Sequence, residues 1–225
     1  MQKKKPVFYT ELAYIAGIIT LAVGTAFMAQ ADFGVSMVVA PAYIVYLKLS
    51  EFFPFFTFGM AEYLLQALLL VSMMLVLRSF KVRYLFAFVT TIVYGLILDA
   101  SMLLVPSVSG NFVLRLVYYI VGMLLTSQGV AFMFRTYISP AVYELFVKEI
   151  STKFGFNITK CKTIYDGTSC VVGIILSFCF FGFGHFEGIK LGTVICALTN
   201  ALLIGMHTRI LNHLFEFRDK FRKSE

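Results

Sequence analysis

Long apolar runs separated by short polar or basic stretches dominate the chain. Six runs are about twenty residues long, the length that an α-helix needs to cross a bilayer. They predict membrane helices over residues 11–30, 58–77, 84–105, 112–134, 162–181 and 189–208. Two shorter apolar stretches, 36–49 and 140–150, are marginal for a full span and predict short re-entrant or interfacial helices.

The stretch 122–144, GMLLTSQGVAFMFRTYISPAVYE, resembles an earlier stretch, 17–39, GIITLAVGTAFMAQADFGVSMVV. A gapless alignment pairs two glycines of each copy, Gly17 with Gly122 and Gly24 with Gly129. In both copies an apolar helix runs into a polar break, and a second apolar run follows. A repeated helix with a repeated break is typical of transporter folds built from internal repeats. Chance similarity between two glycine-rich membrane helices is the alternative.

Composition excludes a soluble protein of this size. The 225 residues are 60% hydrophobic and 14% charged, which leaves no room for a separate soluble domain. We predict one membrane domain, with repeat one over 1–110, repeat two over 111–210 and a basic cytoplasmic tail over 211–225. The N-terminal apolar run is long for a signal peptide and is expected to remain as the first helix. The four cysteines show no C-x-x-C spacing and are expected to be reduced, small core residues.

The basic residues predict the topology. If the two short helices do not cross, sixteen of the 19 Lys and Arg residues fall on one side, and Lys48, Arg115 and Lys190 fall on the other. The larger group belongs in the cytoplasm. The first helix then starts inside and the fourth starts outside. The predicted fold is therefore an all-α polytopic membrane bundle of two inverted three-helix repeats, each with an extra short helix.

The same rule explains the net charge of +7 without nucleic-acid binding. The expected partners are membrane lipid and a small-molecule substrate, and a homodimer is compatible with the sequence. The tail from Arg209 onward alternates loosely between apolar and charged residues. We expect it to form an amphipathic helix on the cytoplasmic leaflet. Both termini are predicted to lie in the cytoplasm.

Polar side chains in or beside the apolar runs are the candidates for substrate binding or ion coupling, because they are costly in a membrane. The candidates are Glu144, Glu62, Asp166, Ser36, Ser139, Gln66 and Gln128. Glu144 is the strongest, since it alone places an acid in the first turns of a short helix. Glu62 and Asp166 correspond between the repeats, but an acid there could instead complement the helix dipole.

The two polar breaks, 32–36 and 135–140, are open to two interpretations. Irregular backbone at membrane depth must face protein or a water-filled cavity, which would put the breaks at the interface of the repeats. Alternatively, they are loops at the membrane surface. The two amides, Gln66 and Gln128, either line a cavity or bridge helices.

No pattern of an enzyme, a metal site or a cofactor site occurs. The sequence lacks H-E-x-x-H, G-x-S-x-G and P-loop motifs, so we expect neither catalytic residues nor a bound cofactor. Without a nucleotide motif, any transport would be coupled to an ion or gradient, or would take its energy from a partner protein.

The breaks and their flanks resemble the YczE/YyaS/YitT family of small bacterial membrane proteins. The residues that carry the resemblance are Gly34 to Val39, Ile138 to Val142, Lys162 to Gly167 and Gly188 to Val194. The family's proline is missing from the first copy, and its Trp and Asp are missing from both. The resemblance implies a multi-pass inner-membrane protein without a settled substrate. Two hypotheses follow: a secondary transporter or exporter of a small organic solute, or an accessory protein that scaffolds another membrane complex.

Overall fold

The computed structural model describes residues 5–108 and 110–221, without the side chain of Thr159. Lys3, Lys4 and the tail from Arg222 onward lie outside the described residues. The described part consists of helices joined by loops, with two three-residue strands, β1 (Val7–Tyr9) and β2 (Glu216–Arg218). The helices are α1 (Thr10–Ala31), α2 (Ala40–Phe52), α3 (Phe58–Leu77), α4 (Val82–Leu104), α5 (Phe112–Met133), α6 (Val142–Phe154), α7 (Ile158–Phe181) and α8 (Leu191–Leu214).

Six of the eight helices are long and apolar enough to cross a membrane, and they are the six predicted ones. The short helices α2 and α6 have 13 residues each. At a rise of about 1.5 Å per residue they reach about 20 Å, well short of a hydrocarbon core of about 30 Å. The prediction of an all-α, multi-pass membrane protein with six candidate spans is therefore confirmed.

Glycines bring α1 and α5 together along much of their length. A Cβ atom on Gly24 would lie 2.6 Å from the backbone nitrogen of Thr126, and one on Gly129 would lie 2.7 Å from that of Leu21. Backbone atoms cannot move aside as a flexible side chain can, so only glycine permits this approach. These glycines therefore permit close helix packing. Gly205 on α8 differs from them, because its Cβ position faces open space.

The remaining helices are arranged around this central pair. In the first half of the chain α3 packs against α4, and the short helix α6 of the second half packs against both of them. In the second half α8 packs against α5, and α7 packs against the short helix α2 of the first half. Over the described residues α7 and α8 hardly touch each other, in contrast to α3 and α4. The second half is therefore more open than the first.

The two ends of the described chain are joined. Strand β1 pairs in parallel with β2, with Phe8 opposite Phe217. Both rings belong to an aromatic cluster with Phe132 and Phe215. The prediction of an amphipathic helix for the tail is wrong for residues 215–221, because the alternating side chains at 216–218 suit a strand whose backbone pairs with β1.

An ionic cluster closes the end of the bundle opposite to the strands. Asp32 ends α1 in a left-handed conformation, with φ of 54°. Its two carboxylate oxygens contact Lys190 Nζ at 2.6 Å and Arg115 Nη2 at 3.0 Å. The guanidinium of Arg115 also lies 4.8 Å from the centre of the Phe33 ring. Nearby, the backbone N–H of Gly192 donates to the carbonyl of Phe33 at 2.9 Å. We call Asp32, Arg115 and Lys190 the ionic cluster.

Candidate functional site

Each polar break begins at the surface and ends in the interior. In the first, Asp32 is exposed, whereas Ser36 is half-buried and its carbonyl accepts from the N–H groups of Val39 and Ala40. In the second, Phe134 is exposed and Ser139 is buried. Each segment thus runs from an exposed end to a more buried end, and its depth in the membrane stays a prediction. Their inner ends meet the N-termini of the short helices within the protein.

A buried hydrogen-bonded network connects the first half to the second break. Glu62 and Gln66 lie one turn apart on α3 and are fully buried. Gln66 Nε2 donates to Glu62 Oε2 at 3.0 Å, and Gln66 Oε1 accepts from Thr91 Oγ1 at 2.6 Å and from the backbone N–H of Val142 at 3.0 Å. Since the N-cap residue of α6 offers no side-chain hydrogen bond, Gln66 caps that helix from another part of the chain.

Further hydrogen bonds tie the same region to α1. Tyr94 OH donates to Thr25 Oγ1 at 3.2 Å, and Thr90 Oγ1 donates to the carbonyl of Ser139 at 3.0 Å. Tyr14 contacts Thr90 Oγ1 at 2.8 Å. The one polar atom in the Glu62 network without a partner is Glu62 Oε1. The first half of the bundle is therefore packed and almost fully hydrogen-bonded.

A cavity of about 140 Å³ lies between the two halves. Residues of α7 and α8 line it, together with residues of α1, α5, α6 and the inner end of the first break. Its polar lining side chains are Thr25, Ser36, Thr126, Tyr143, Glu144, Lys162 and Asn200. Most of the other lining residues are aliphatic, such as Val38, Val130 and Ile204. Residues of both repeats thus surround one amphipathic space.

Glu144 lines this cavity from the first turn of α6. Its Oε2 atom is shielded from solvent and has no hydrogen-bond partner. Burial raises the pKa of Glu144 to about 7, although Lys162 and the residue's own backbone N–H act in the opposite direction and Asp166 adds to the rise. Near neutral pH this carboxyl group can therefore gain or lose a proton.

The structure separates the seven candidate residues. Ser36 and Glu144 line the cavity, and Glu62 and Gln66 belong to the buried network. Asp166 lies beside the cavity and pairs with Lys162, with 3.5 Å between Oδ1 and Nζ. Ser139 is buried outside the cavity, with its Oγ atom unpartnered. Gln128 is half-buried on α5 and lines no part of the cavity.

Three residues of the site were not among the candidates. Lys162 was counted only as a topology charge, and Thr91 was not considered. Asn200 is an amide in an otherwise apolar helix, and its Oδ1 atom is shielded and unpartnered. Thr91 and Asn200 share a signal, since they occupy corresponding positions in corresponding helices: each is the tenth residue, Thr91 of α4 and Asn200 of α8. Thr91 takes part in the hydrogen-bonded network, whereas Asn200 lines the cavity.

Comparison with known proteins adds a family but no activity. No curated protein and no solved structure is significantly similar to the chain. One family model matches residues 8–209, which include all six long helices apart from the last residues of α8. The resemblance to the YczE/YyaS/YitT proteins stays a prediction, because the family model that matches the chain carries a different description. The chain belongs to a family of unknown function, DUF6198.

Proposed function

We propose that this protein is a secondary transporter or exporter of a small organic solute, with its site in the cavity between the two halves. The observation that carries the proposal is the cavity itself, which is bounded by both halves and holds a carboxylate, an ammonium and an amide. The alternative, an accessory protein, predicts a dry and fully packed core. The cavity favours transport over that alternative.

We infer that the two halves are inverted repeats. The contacts of the central helices support this, because Gly17 meets Gly129 and Gly24 meets Gly122. The repeat alignment exchanges these two contacts, as a two-fold axis in the membrane plane requires. The short helices support it as well, since α2 packs against α7 as α6 packs against α3.

The charge distribution assigns the joined ends of the chain to the cytoplasm of a bacterial cell and the ionic cluster to the outside. The cavity then lies toward the cytoplasm, since its lining includes Lys162 near the start of α7 and Phe134 just after α5. We infer a conformation that faces inward, with the ionic cluster closing its outer end. Asp32 is about half exposed in the cluster. Exposed ion pairs contribute about 1 kcal/mol or less, so such a closure can open at low cost.

Three carboxyl groups are the candidates for coupling transport to an ion: Glu144 in the cavity, Asp166 beside it and Glu62 in the network. A thermal-shift screen of small solutes on the purified protein would identify a ligand. Uptake of that ligand into proteoliposomes would then be compared between the wild type and the variant with Glu62→Gln, Glu144→Gln and Asp166→Asn. We expect uptake by the wild type and none above protein-free liposomes by the variant.

Two results would contradict the proposal. One is a ligand that binds in the cavity but is not taken up or exchanged by the wild type. The other is unchanged uptake by the triple variant, which would leave the proposed site without a role. A variant with Gln128→Ala serves as the control, because this polar side chain lies outside both the cavity and the network.

A further inference from the structure

Two residues that line the cavity carry hydrogen-bond acceptors that the protein does not satisfy. Glu144 and Asn200 both line it, and Glu144 Oε2 and Asn200 Oδ1 are each buried without a partner. Leaving such an atom unpaired costs about 1–3 kcal/mol, so a group that pairs with it is strongly favoured. The ionised carboxylate of Glu144 and the amide oxygen of Asn200 only accept, so the complementary ligand group must donate.

The charge of the cavity favours a cationic donor. Lys162 is its only basic lining residue among those described, and its charge is engaged by Asp166. Glu144 therefore contributes negative charge that no neighbouring cation fully balances. The titratable groups that face Glu144 are Lys162, Asp166 and Tyr165 from α7, Glu62 from α3, Tyr94 from α4 and its neighbour Tyr143. Among these groups, only Lys162 carries a positive charge at neutral pH.

The walls and the volume of the cavity limit the rest of the ligand. Away from the polar atoms, Leu21, Val38, Val130, Phe134, Val147 and Ile204 offer apolar surface. The volume of about 140 Å³ is close to that of engineered apolar cavities of about 150 Å³, which hold benzene. A ligand of this site thus combines one donor-bearing head with an apolar body of about one ring.

We propose that the cavity binds a small organic amine in its protonated form. The ammonium group donates to Glu144 Oε2 and Asn200 Oδ1, and the apolar body lies against the aliphatic side chains. This inference rests on the proposed function in that it names the substrate class of the transport site. It concerns binding alone, so it can be tested without a transport assay.

Benzylamine is a suitable probe, with benzyl alcohol and benzoate as controls of similar size. Binding to the purified full-length protein is measured by isothermal titration calorimetry. We expect benzylamine to bind and both controls to bind at least about tenfold more weakly, since a charge-assisted hydrogen bond contributes about 1.5–3 kcal/mol. Glu144→Gln and Asn200→Ala are each expected to weaken benzylamine binding, the first by about tenfold or more. The control variant Gln128→Ala is expected to bind like the wild type.

A pH titration of the wild type tests the same contact without any substitution. Benzylamine stays protonated near neutral pH, so only the protein changes its charge. Lowering the pH from about 8 to about 6 crosses the pKa of Glu144 of about 7 and removes its negative charge. Binding is therefore expected to weaken toward low pH in the wild type and to depend less on pH in Glu144→Gln, in which the carboxyl groups of Glu62 and Asp166 remain.

Several results would overturn the inference. They are equal binding of benzylamine and benzyl alcohol, preferential binding of benzoate, no benzylamine binding at millimolar concentration, and wild-type binding that does not change with pH.

The proposed function can fail independently of the amine site. If benzylamine binds as expected but no ligand is transported, the amine site stands without transport. If a solute that lacks an amine is transported through the cavity, the transporter stands and the amine site does not.

Discussion

At the scale of the residue, Gln66 has the most consequential contacts in the interior. One amide satisfies a carboxyl group on its own helix, a hydroxyl on α4 and the first backbone N–H of α6. Each of the three partners is buried away from water. A buried polar group that loses its partner costs about 1–3 kcal/mol, so the effects of losing this side chain accumulate.

Replacing Gln66 is therefore expected to destabilise the whole bundle. In Gln66→Ala, we expect the apparent Tm of the detergent-solubilised protein to fall by roughly 5–10 °C, because three buried groups lose their partner. The matched control is Gln128→Ala, which removes a half-buried amide that makes no hydrogen bond in the part of the chain that the structure describes. Its Tm is expected to change by about 2 °C at most. Equal Tm changes in the two variants would contradict the importance of the Gln66 network.

The sequence identifies single polar residues in the membrane but not their partners. Glu62 and Gln66 stand out because amides and acids are rare in apolar helices. Thr91 and the N–H of Val142 do not stand out, since threonine is common in membrane helices and every residue except proline has an N–H. Which of them Gln66 meets depends on how α3, α4 and α6 pack, and hydrophobic periodicity does not encode that packing.

At the scale of the element, the contact of α1 with α5 depends on glycines, and Gly24 makes the closest approach among them. A Cβ atom on Gly24 would lie 2.6 Å from one backbone atom of α5 and 2.8 Å from another. Neither atom can move without its helix. A methyl group at this position must therefore push the two central helices apart along their shared face.

We expect Gly24→Ala to destabilise the protein by about 1–3 kcal/mol, as overpacking commonly does. Gly205→Ala makes the same chemical change on α8, where the added atom meets open space. It is expected to be neutral or to stabilise by up to about 1 kcal/mol, because alanine is the better helix former. Thermal unfolding and size-exclusion profiles of both variants in detergent provide the comparison. A Gly205→Ala protein that is as unstable as Gly24→Ala would contradict the packing described for the two positions.

The elements themselves were largely predictable. Phe58–Leu77 is predicted with its observed bounds, since apolar length and flanking polar residues define a membrane helix well. The short helices are less well predicted. Helix α6 begins two residues after the expected Pro140 and continues four residues beyond the expected end, to the left-handed Gly155. Its inner N-terminus is fixed by Gln66 from a distant part of the chain, a contact that local sequence patterns do not reveal.

At the scale of the whole molecule, the arrangement in the membrane makes a direct prediction. The basic loops 78–83 and 153–160 lie on the side of the joined chain ends, and the loop after α7 lies on the side of the ionic cluster. Single cysteines are introduced by Ser79→Cys, Phe156→Cys and Phe183→Cys, after the four native cysteines are replaced. All three positions are exposed in the structure.

A membrane-impermeant maleimide added to intact cells is expected to label Phe183→Cys alone. The other two variants should react only after the cells are permeabilised, because the charge rule assigns their loops to the cytoplasm. External labelling of Ser79→Cys or Phe156→Cys would contradict the inverted arrangement. The permeabilised sample controls for accessibility, so a failure to react from outside can be attributed to sidedness.

The openness of the second half was not predictable from the sequence. The two halves correspond in their pattern of helices, so a reader of the sequence expects equal packing in both. The difference arises because α3 packs tightly against α4 while α7 and α8 hardly touch over the described residues. Side-chain volumes at many positions contribute to that difference in packing, and no single sequence motif predicts their combined effect.

The glycine contacts at the centre also bear on how such a chain could arise. Gly17 meets Gly129 and Gly24 meets Gly122, so each contact turns into the other when the repeats are exchanged. An interface in which residue i meets residue j and residue j meets residue i is that of a two-fold homodimer. A half-length ancestor that inserted into the membrane in both orientations would have met its own copy across these same glycines. Gene duplication and fusion then free the two halves to diverge, one toward a closed polar network and the other toward an open cavity.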